Sequence, residues 1–258
     1  MRKYLLFAKT AFLQQLHKLS DNIGTFMSFT IHVLVFNELW HFILNEKDIA
    51  GYTRQNLIWY IIIGEVMSYS FHNYYRTIVE KVKNSDIAYD MSKPYNFMGR
   101  IVVEGLGTFP KTLVILIIGI VLGFILAGPI ALGIIPCFCI LLCLIISLVL
   151  NLLIHMIIGL STIWLGSDVS SLWLLVSKTM LIFVFTPLEL FPKAVQNVLV
   201  FLPTTHVVYT PSKLLVHFSY ELFLKSALVY QSYALIVLLA ICFVLYKKGV
   251  KNLNVYGI

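Results

Sequence analysis

Apolar residues fill most of this chain, in six long runs that are separated by shorter polar segments. A bilayer core about 30 Å thick requires ~20 residues of helix at 1.5 Å rise per residue. Runs of this length predict six transmembrane helices, at about Ile23–Leu44, Asn56–Tyr75, Phe109–Ala127, Ile134–Ile158, Val169–Phe191 and Ser226–Tyr246. We therefore expect an all-α polytopic membrane protein, with residues 1–258 forming a single transmembrane domain.

The N-terminal segment, residues 1–21, has a different pattern. Leu5, Ala8 and Phe12 recur at spacings of three and four, and polar residues such as Lys9 interrupt every apolar stretch. This periodicity predicts an amphipathic helix that lies in the cytoplasmic interface of the membrane. A secretory signal peptide is excluded because there is no continuous apolar core.

The polar segment after the second predicted span carries much of the positive charge. Residues from Arg76 to Lys111 contain six of the nineteen Lys and Arg residues of the chain. Such charge stays on the cytoplasmic side of a membrane. The pattern predicts a cytoplasmic loop at 76–108 and both termini in the cytoplasm.

A broken apolar segment, residues 192–225, lies between the fifth and sixth predicted spans. It contains Pro192, Pro203 and Pro211, and its apolar pieces are too short to cross a bilayer. It is also too apolar for an ordinary loop. This combination predicts short re-entrant or interfacial helices on the extracytoplasmic side.

Small residues recur along one face of the third predicted span. Gly119, Gly123 and Ala127 are spaced four apart. Such spacing permits close approach of a neighbouring helix.

Composition supports the membrane class, since 59% of residues are hydrophobic, 12% are charged and the mean hydropathy is +0.88. These values exclude an ordinary soluble domain. The net charge of +7 is explained by orientation in the membrane, and no nucleic-acid partner is expected. All four cysteines lie in apolar runs, which favours small hydrophobic side chains over disulfides or a metal framework.

Catalytic motifs are missing from the sequence. It contains no GxxxxGK[ST] phosphate-binding loop, no HExxH and no GxSxG. We therefore expect no catalytic residue, metal site or cofactor bound by this chain. Asp86 and Asp90, spaced i, i+4, still allow a metal-dependent membrane enzyme, although solvated or ion-paired carboxylates explain them as well.

Polar residues inside the predicted spans are candidates for a pathway or for buried polar contacts. They are His32, Asn37, Glu38, Glu65, Asn151, His155 and Lys178. Each is costly against lipid, so each is expected to face other helices or a wet cavity. Asn151 and His155, one turn apart, either satisfy each other or contact a substrate. Glu65 and Lys178 are either neutralised within the bundle, including by each other, or line a translocation path.

Three stretches carry a resemblance to a known family. They are VKNSDIAYDMSKPYN at 82–96, GLSTIWLGSDVSSLWLL at 159–175 and LPTTHVVYTPSKLL at 202–215. With the order of the predicted spans, they resemble the permease subunit of bacterial type-2 ATP-binding-cassette exporters. That family usually has Gly where this chain has Ser85, and a bulky aliphatic residue where it has Met91.

The resemblance implies a half-transporter in the bacterial cytoplasmic membrane. Two permeases, identical or paralogous, would join two cytosolic ATPase subunits, which bind the ATP and Mg. A coupling helix within Lys83–Met91 would contact the ATPase. The implied coupling residues are Lys83, Asp86, Ile87, Tyr89, Asp90, Met91, Lys93 and Pro94. Family cargoes include drugs, peptides, lipids and glycans, and the sequence selects none of them.

Two other classes remain open. A stand-alone secondary transporter would require inverted repeats around broken helices. A membrane-embedded enzyme or accessory protein would require a reactive group of residues. Association with a separate ATPase would distinguish both from the exporter.

Overall fold

The computed structural model describes residues 2–17, 22–46, 51–71, 74–84, 96–165 and 169–255. Helix accounts for 88% of the structure, and no strand occurs in the described part. The α-helices are α1 (Arg2–His17), α2 (Ile23–Glu46), α3 (Arg54–Tyr69), α4 (Tyr74–Lys83), α5 (Phe97–Leu106), α6 (Phe109–Ala127), α7 (Ile134–Leu165), α8 (Ser170–Phe185), α9 (Lys193–Leu199), α10 (Pro203–Val216), α11 (Tyr220–Leu222) and α12 (Gln231–Val255). A 3-10 turn (Leu188–Leu190) follows α8, and a π-helical segment (Phe223–Tyr230) joins α11 to α12.

Within the described ranges, four helical stretches are long and apolar enough to cross a membrane. They are Ile23–Leu44, Phe97–Ala127, Ile134–Leu165 and Tyr220–Gly249. The shorter apolar helix α8 has 16 residues, and so does α3. The all-α, multi-pass class is thus confirmed, and the count of six spans stays a prediction.

The second predicted span, Asn56–Tyr75, is wrong at its C-terminal end. Helix α3 ends at Tyr69, because Ser70 has an extended backbone and Phe71 has φ 57°. A non-glycine residue at positive φ cannot continue a right-handed helix. A separate helix, α4, begins at Tyr74 and occupies the first part of the predicted 76–108 loop.

The predicted ends of one further span agree with the structure, and those of two others differ. Helix α6 has the predicted ends Phe109 and Ala127, whereas α7 continues seven residues beyond the predicted Ile158, to Leu165. Helix α8 ends at Phe185 instead of Phe191. Pro187 terminates this helix and does not bend it, because a residue that precedes proline is disfavoured in helical conformation.

Helix α3 lies at the centre of the bundle, with every residue from Leu57 to Met67 buried. A Cβ added at Gly64 would lie 3.3 Å from Val184 Cα, so the glycine allows α8 to approach closely. Across the other face, a Cβ at Gly123 of α6 would lie 2.6 Å from the Trp59 ring. The predicted small-residue stripe of α6 therefore marks a real helix contact.

The segment 192–225 forms short helices, and their re-entrant or interfacial position in a membrane stays a prediction. Helix α9 has no buried residue, but α10 is buried from Thr205 to Ser212. Its buried face packs against α3, α7 and α8. Helix α10 is therefore a core element and more than a cover over the bundle.

The N-terminal helix α1 packs against α5 and α6. The Tyr4 hydroxyl accepts a hydrogen bond from the Asn96 backbone N–H at 2.9 Å, and the Arg100 guanidinium lies 4.9 Å from the centre of the Phe7 ring. Leu5 and Phe12 are exposed. An apolar outer face of this kind suits the interfacial position predicted for the helix.

Candidate functional site

The residues predicted to couple to an ATPase lie mostly outside the described residues. Those outside are Asp86, Ile87, Tyr89, Asp90, Met91, Lys93 and Pro94. Lys83 is the last residue of α4. The helices on either side of this segment are joined by Glu104, which pairs with Lys81 of α4 and with Arg100 Nε of α5, the latter at 2.6 Å. The described ends of the segment are thus tied together.

Glu65 is fully buried in α3, and its partner is His32 of α2. Glu65 Oε1 lies 3.2 Å from His32 Nδ1. The Tyr69 hydroxyl lies 3.5 Å from the same nitrogen and 3.0 Å from Ser28 Oγ. Of the alternatives left open for Glu65, the contact supports a partner within the bundle, and that partner is His32 and not Lys178.

Lys178 is exposed on α8, and no ion pair of its side chain occurs among the described residues. It precedes Phe185 by seven residues, so the two side chains lie on one stripe of the helix, about 10 Å apart along its axis. Phe185 is covered by α2. Its ring stacks on Phe36 with centroids 3.7 Å apart and makes an edge contact with His32.

Helix α2 therefore covers this stripe of α8 at Phe185 and leaves it open at Lys178. The side chain of His32, which contacts Phe185, is 37% exposed. We refer to the surface formed by His32, Lys178 and the Phe36–Phe185 pair as the α2–α8 face. It carries two of the predicted polar residues, each related to Phe185: His32 by a ring contact and Lys178 by its place on the same stripe of α8.

Asn37 and Glu38 lie farther along α2. Asn37 is buried and donates a hydrogen bond to Glu38 Oε1 at 2.7 Å, and Arg54 donates to Asn37 Oδ1 at 3.1 Å. These bonds join α2 to the first residue of α3. Asn37 therefore holds two helices together, whereas Glu38 is exposed.

Asn151 and His155 are both fully buried in α7. The Asn151 amide donates to Met67 O and Ser70 O at 2.9 Å and to Ser70 Oγ at 2.7 Å, so its bonds go to the end of α3 and not to His155. The His155 ring lies 4.8 Å from the Trp173 ring. Asn151 thus binds backbone carbonyl groups at the end of α3 and at its C-cap residue, where helical hydrogen bonding stops.

A polar network that sequence reasoning missed ties the beginning of α3 to α10. Lys213 Nζ and the Tyr209 hydroxyl lie 2.8 and 2.7 Å from Glu189 Oε1, and the Tyr52 hydroxyl donates to Glu189 Oε2 at 3.1 Å. We call these four residues the outer network. Tyr209 and Lys213 are four residues apart, a spacing that places them on one face of a helix. The spacing gives no sign that the Glu189 carboxylate is their partner.

The Glu189 carboxyl lies in the 3-10 turn after α8. Its burial opposes ionisation, but the hydrogen bonds from Lys213 and Tyr209 outweigh burial, so the pKa of Glu189 lies below its usual value. The ionised form of Glu189 is therefore the form that the outer network stabilises.

The described residues offer no group of three His, Cys, Asp or Glu side chains that could hold a metal ion. The α2–α8 face combines one exposed cation, a half-exposed His and aromatic rings.

Comparison with known proteins identifies the family. The sequence profile described as ABC-2 family transporter protein matches residues 25–257. No curated protein matches the chain significantly. Permeases of the matching family are typically non-catalytic and act with an ATPase in a separate subunit. The match spans nearly the whole chain, including the α2–α8 face and the outer network, and the chain belongs to the ABC-2 family of transporter proteins.

Proposed function

We propose that this chain is the membrane subunit of an ATP-driven exporter, which forms its translocation pathway with a second permease and is driven by a separate cytosolic ATPase. The family match over residues 25–257 carries the proposal. The chain itself lacks a phosphate-binding GxxxxGK[ST] loop, so the nucleotide would bind to the partner.

The ATPase would dock on the segment between α4 and α5. Glu104 pairs with Lys81 of α4 and with Arg100 of α5, so movement of this segment would displace both helices together. Helix α5 leads into α6 through Gly107 and Thr108 alone. Displacement of the docking segment would therefore reach the membrane helices directly.

The pathway would run along the α2–α8 face. An exposed Lys inside an apolar helix is costly against lipid. A second permease placed against this face would remove Lys178 and His32 from lipid. The Phe36–Phe185 pair and the outer network would then close the pathway on the extracytoplasmic side.

Docking is tested by the double variant Ile87→Asp, Met91→Asp. The introduced carboxylates should oppose burial of this segment in the ATPase, so co-purification of the ATPase and cargo-stimulated hydrolysis should both be lost. Val198→Asp, on the exposed helix α9, is the matched control and should keep both. Coupling that survives the double change would exclude this docking site.

Pairing of permeases is tested by cysteine crosslinking. Single cysteines at Val35 and Leu39 of α2 should crosslink between two copies, whereas a cysteine at Ile236 of α12 should not. All three side chains are exposed in one chain, so exposure alone cannot explain a difference. A monomeric mass in mild detergent, without crosslinks in the membrane, would contradict self-pairing.

A further inference from the structure

The contacts of α3 show in which direction α2 and α8 run, and so where Lys178 lies along the bundle. Helix α3 is antiparallel to α2, because Ser28 contacts Tyr69 and His32 contacts Glu65. It is also antiparallel to α8, since a Cβ at Gly64 would meet Val184, whereas Tyr75, at the start of α4, stacks on Trp173. Helices α2 and α8 therefore run in the same direction, and both begin at the same side of the membrane.

Lys178 is eight residues beyond the start of α8, or about 12 Å along the helix. It lies about 10 Å short of Phe185, where α2 closes over the stripe. Between these levels the exposed side chain is Ile182, and Leu174 and Leu175 are exposed just before Lys178. Lys178 is thus a single cation on an apolar surface, about 10 Å along α8 from the stacked Phe36–Phe185 pair.

No carboxylate within the described residues neutralises this cation. Glu65, the acidic residue of the central bundle, is buried behind His32 and bonded to it. Glu38 of α2 accepts a hydrogen bond from Asn37 and lies beyond Phe36, farther from Lys178 than the aromatic closure. Within the described part of the chain, Lys178 therefore lacks a complementary charge, which a bound anion would supply.

We infer that the α2–α8 face binds an amphiphile with an anionic head group, the head group at Lys178 and the hydrocarbon part along Ile182 toward the Phe36–Phe185 pair. The inference rests on the proposed function, because it assigns the class of cargo for that face. An anion without an apolar part would leave Ile182 and the leucines uncovered. An amphiphile with a cationic head group would be repelled by the Lys178 ammonium.

Entry would be lateral, from the leaflet at which α2 and α8 begin. The stripe is open there and closed at Phe185, so an amphiphile can slide in without leaving the membrane. Its head group would exchange contacts with water and lipid for contact with the Lys178 ammonium. A charge-assisted contact of this kind is stronger in an apolar setting than at the surface.

Binding of a labelled amphiphile to the permease alone tests the inference. The protein is placed in phosphatidylcholine nanodiscs and titrated with dansyl-labelled undecanoate, with its methyl ester as the neutral probe. The carboxylate should bind about tenfold more tightly than the ester. Lys178→Met should abolish this preference, and Lys178→Arg should keep it within about threefold. Lys193→Met, which removes an exposed lysine of α9, is the matched control and should bind like the parent.

Equal binding of acid and ester, or a preference that survives Lys178→Met, would overturn the inference. A second set of nanodiscs replaces part of the phosphatidylcholine with phosphatidylglycerol. Nearly unchanged binding supports a cargo site, whereas loss of probe binding would show that ordinary anionic lipid occupies Lys178. The ATPase is absent from every arm, so failure here leaves the coupling test untouched. Failure of coupling with intact binding would refute the proposed function alone.

Discussion

The rings of Phe36 and Phe185 lie parallel within 4°, with centroids 3.7 Å apart, and they join α2 to α8 one turn beyond His32. Helix α2 is otherwise exposed along Ile31, Leu34 and Val35. A stacked pair adds about 0.5–1.5 kcal/mol beyond the area that it buries. The stacking itself is therefore a weak contact.

The pair should control access to the α2–α8 face. Ile182→Cys, with Cys137→Ser to remove the exposed native thiol, provides a reporter below Phe185. An impermeant maleimide added from outside should react slowly with this cysteine. Phe185→Ala should raise the reaction rate about tenfold, if the stacked pair contributes ~1.4 kcal/mol to the free energy that keeps the face closed. Phe243→Ala, an exposed ring of α12, is the control. An equal rate in both alanine variants would contradict a gating role.

The His32–Glu65 pair should behave as a unit in folding. His32→Phe alone leaves a buried carboxylate without its partner, which costs about 1–3 kcal/mol. Adding Glu65→Leu should restore much of the lost thermal stability, because the double variant buries no carboxylate. Glu65→Leu with Lys178→Met should show no such recovery. Thermal melts of the purified variants measure both, and recovery in the second combination would indicate Lys178 as a partner of Glu65.

Gly123 should tolerate no larger side chain. A Cβ at this position would meet the Trp59 ring, whose Nε1 donates to Gly128 O at 3.0 Å and so resists displacement. Gly123→Val should lower the free energy of unfolding by about 1–3 kcal/mol through overpacking. Gly24→Ala, where no atom lies within 4 Å of the added Cβ, is the control. Comparable losses in both would indicate a general intolerance of helical substitution.

The outer network should make stability depend on acid pH. The folded-state pKa of Glu189 lies below its usual value of 4.5. Its contribution is therefore present above 4.5 and is lost as the pH falls through the lower folded-state pKa. Glu189→Gln should flatten the drop in Tm on acidification, and Glu221→Gln, at an exposed position of α11, should not. An unchanged drop in the Glu189 variant would rule out a stabilising charge there.

Sequence patterns predicted the elements that depend on local length and hydrophobicity. The run from Phe109 to Ala127 gave α6 its observed ends, and the prolines of 192–225 indicated short helices there. The end of α3 could not be foreseen, because Asn151 holds Met67 O and Ser70 O from 84 and 81 residues away. Local propensity does not contain that contact.

The sequence singled out candidate polar residues but did not show which of them contact each other. Intramembrane charge singled out Glu65 and Lys178, since each is costly against lipid. Which side chains meet depends on how α2, α3 and α8 rotate about their axes, and apolar runs leave that rotation undetermined. The outer network was missed because Tyr52, Glu189 and Lys213 come from three separate segments.

The central place of α3 has a consequence for biosynthesis. Its early partner is α2, and the Glu65–His32 contact can form as soon as both helices have left the ribosome. The helices that pack on its other sides are synthesised later. Val184 of α8 and Val208 of α10 pack at Gly64, and Asn151 of α7 bonds to its end. Helices that insert first and associate afterwards must wait in the membrane for such neighbours. The α2–α3 hairpin therefore leaves much of the central helix uncovered until α7, α8 and α10 have been made.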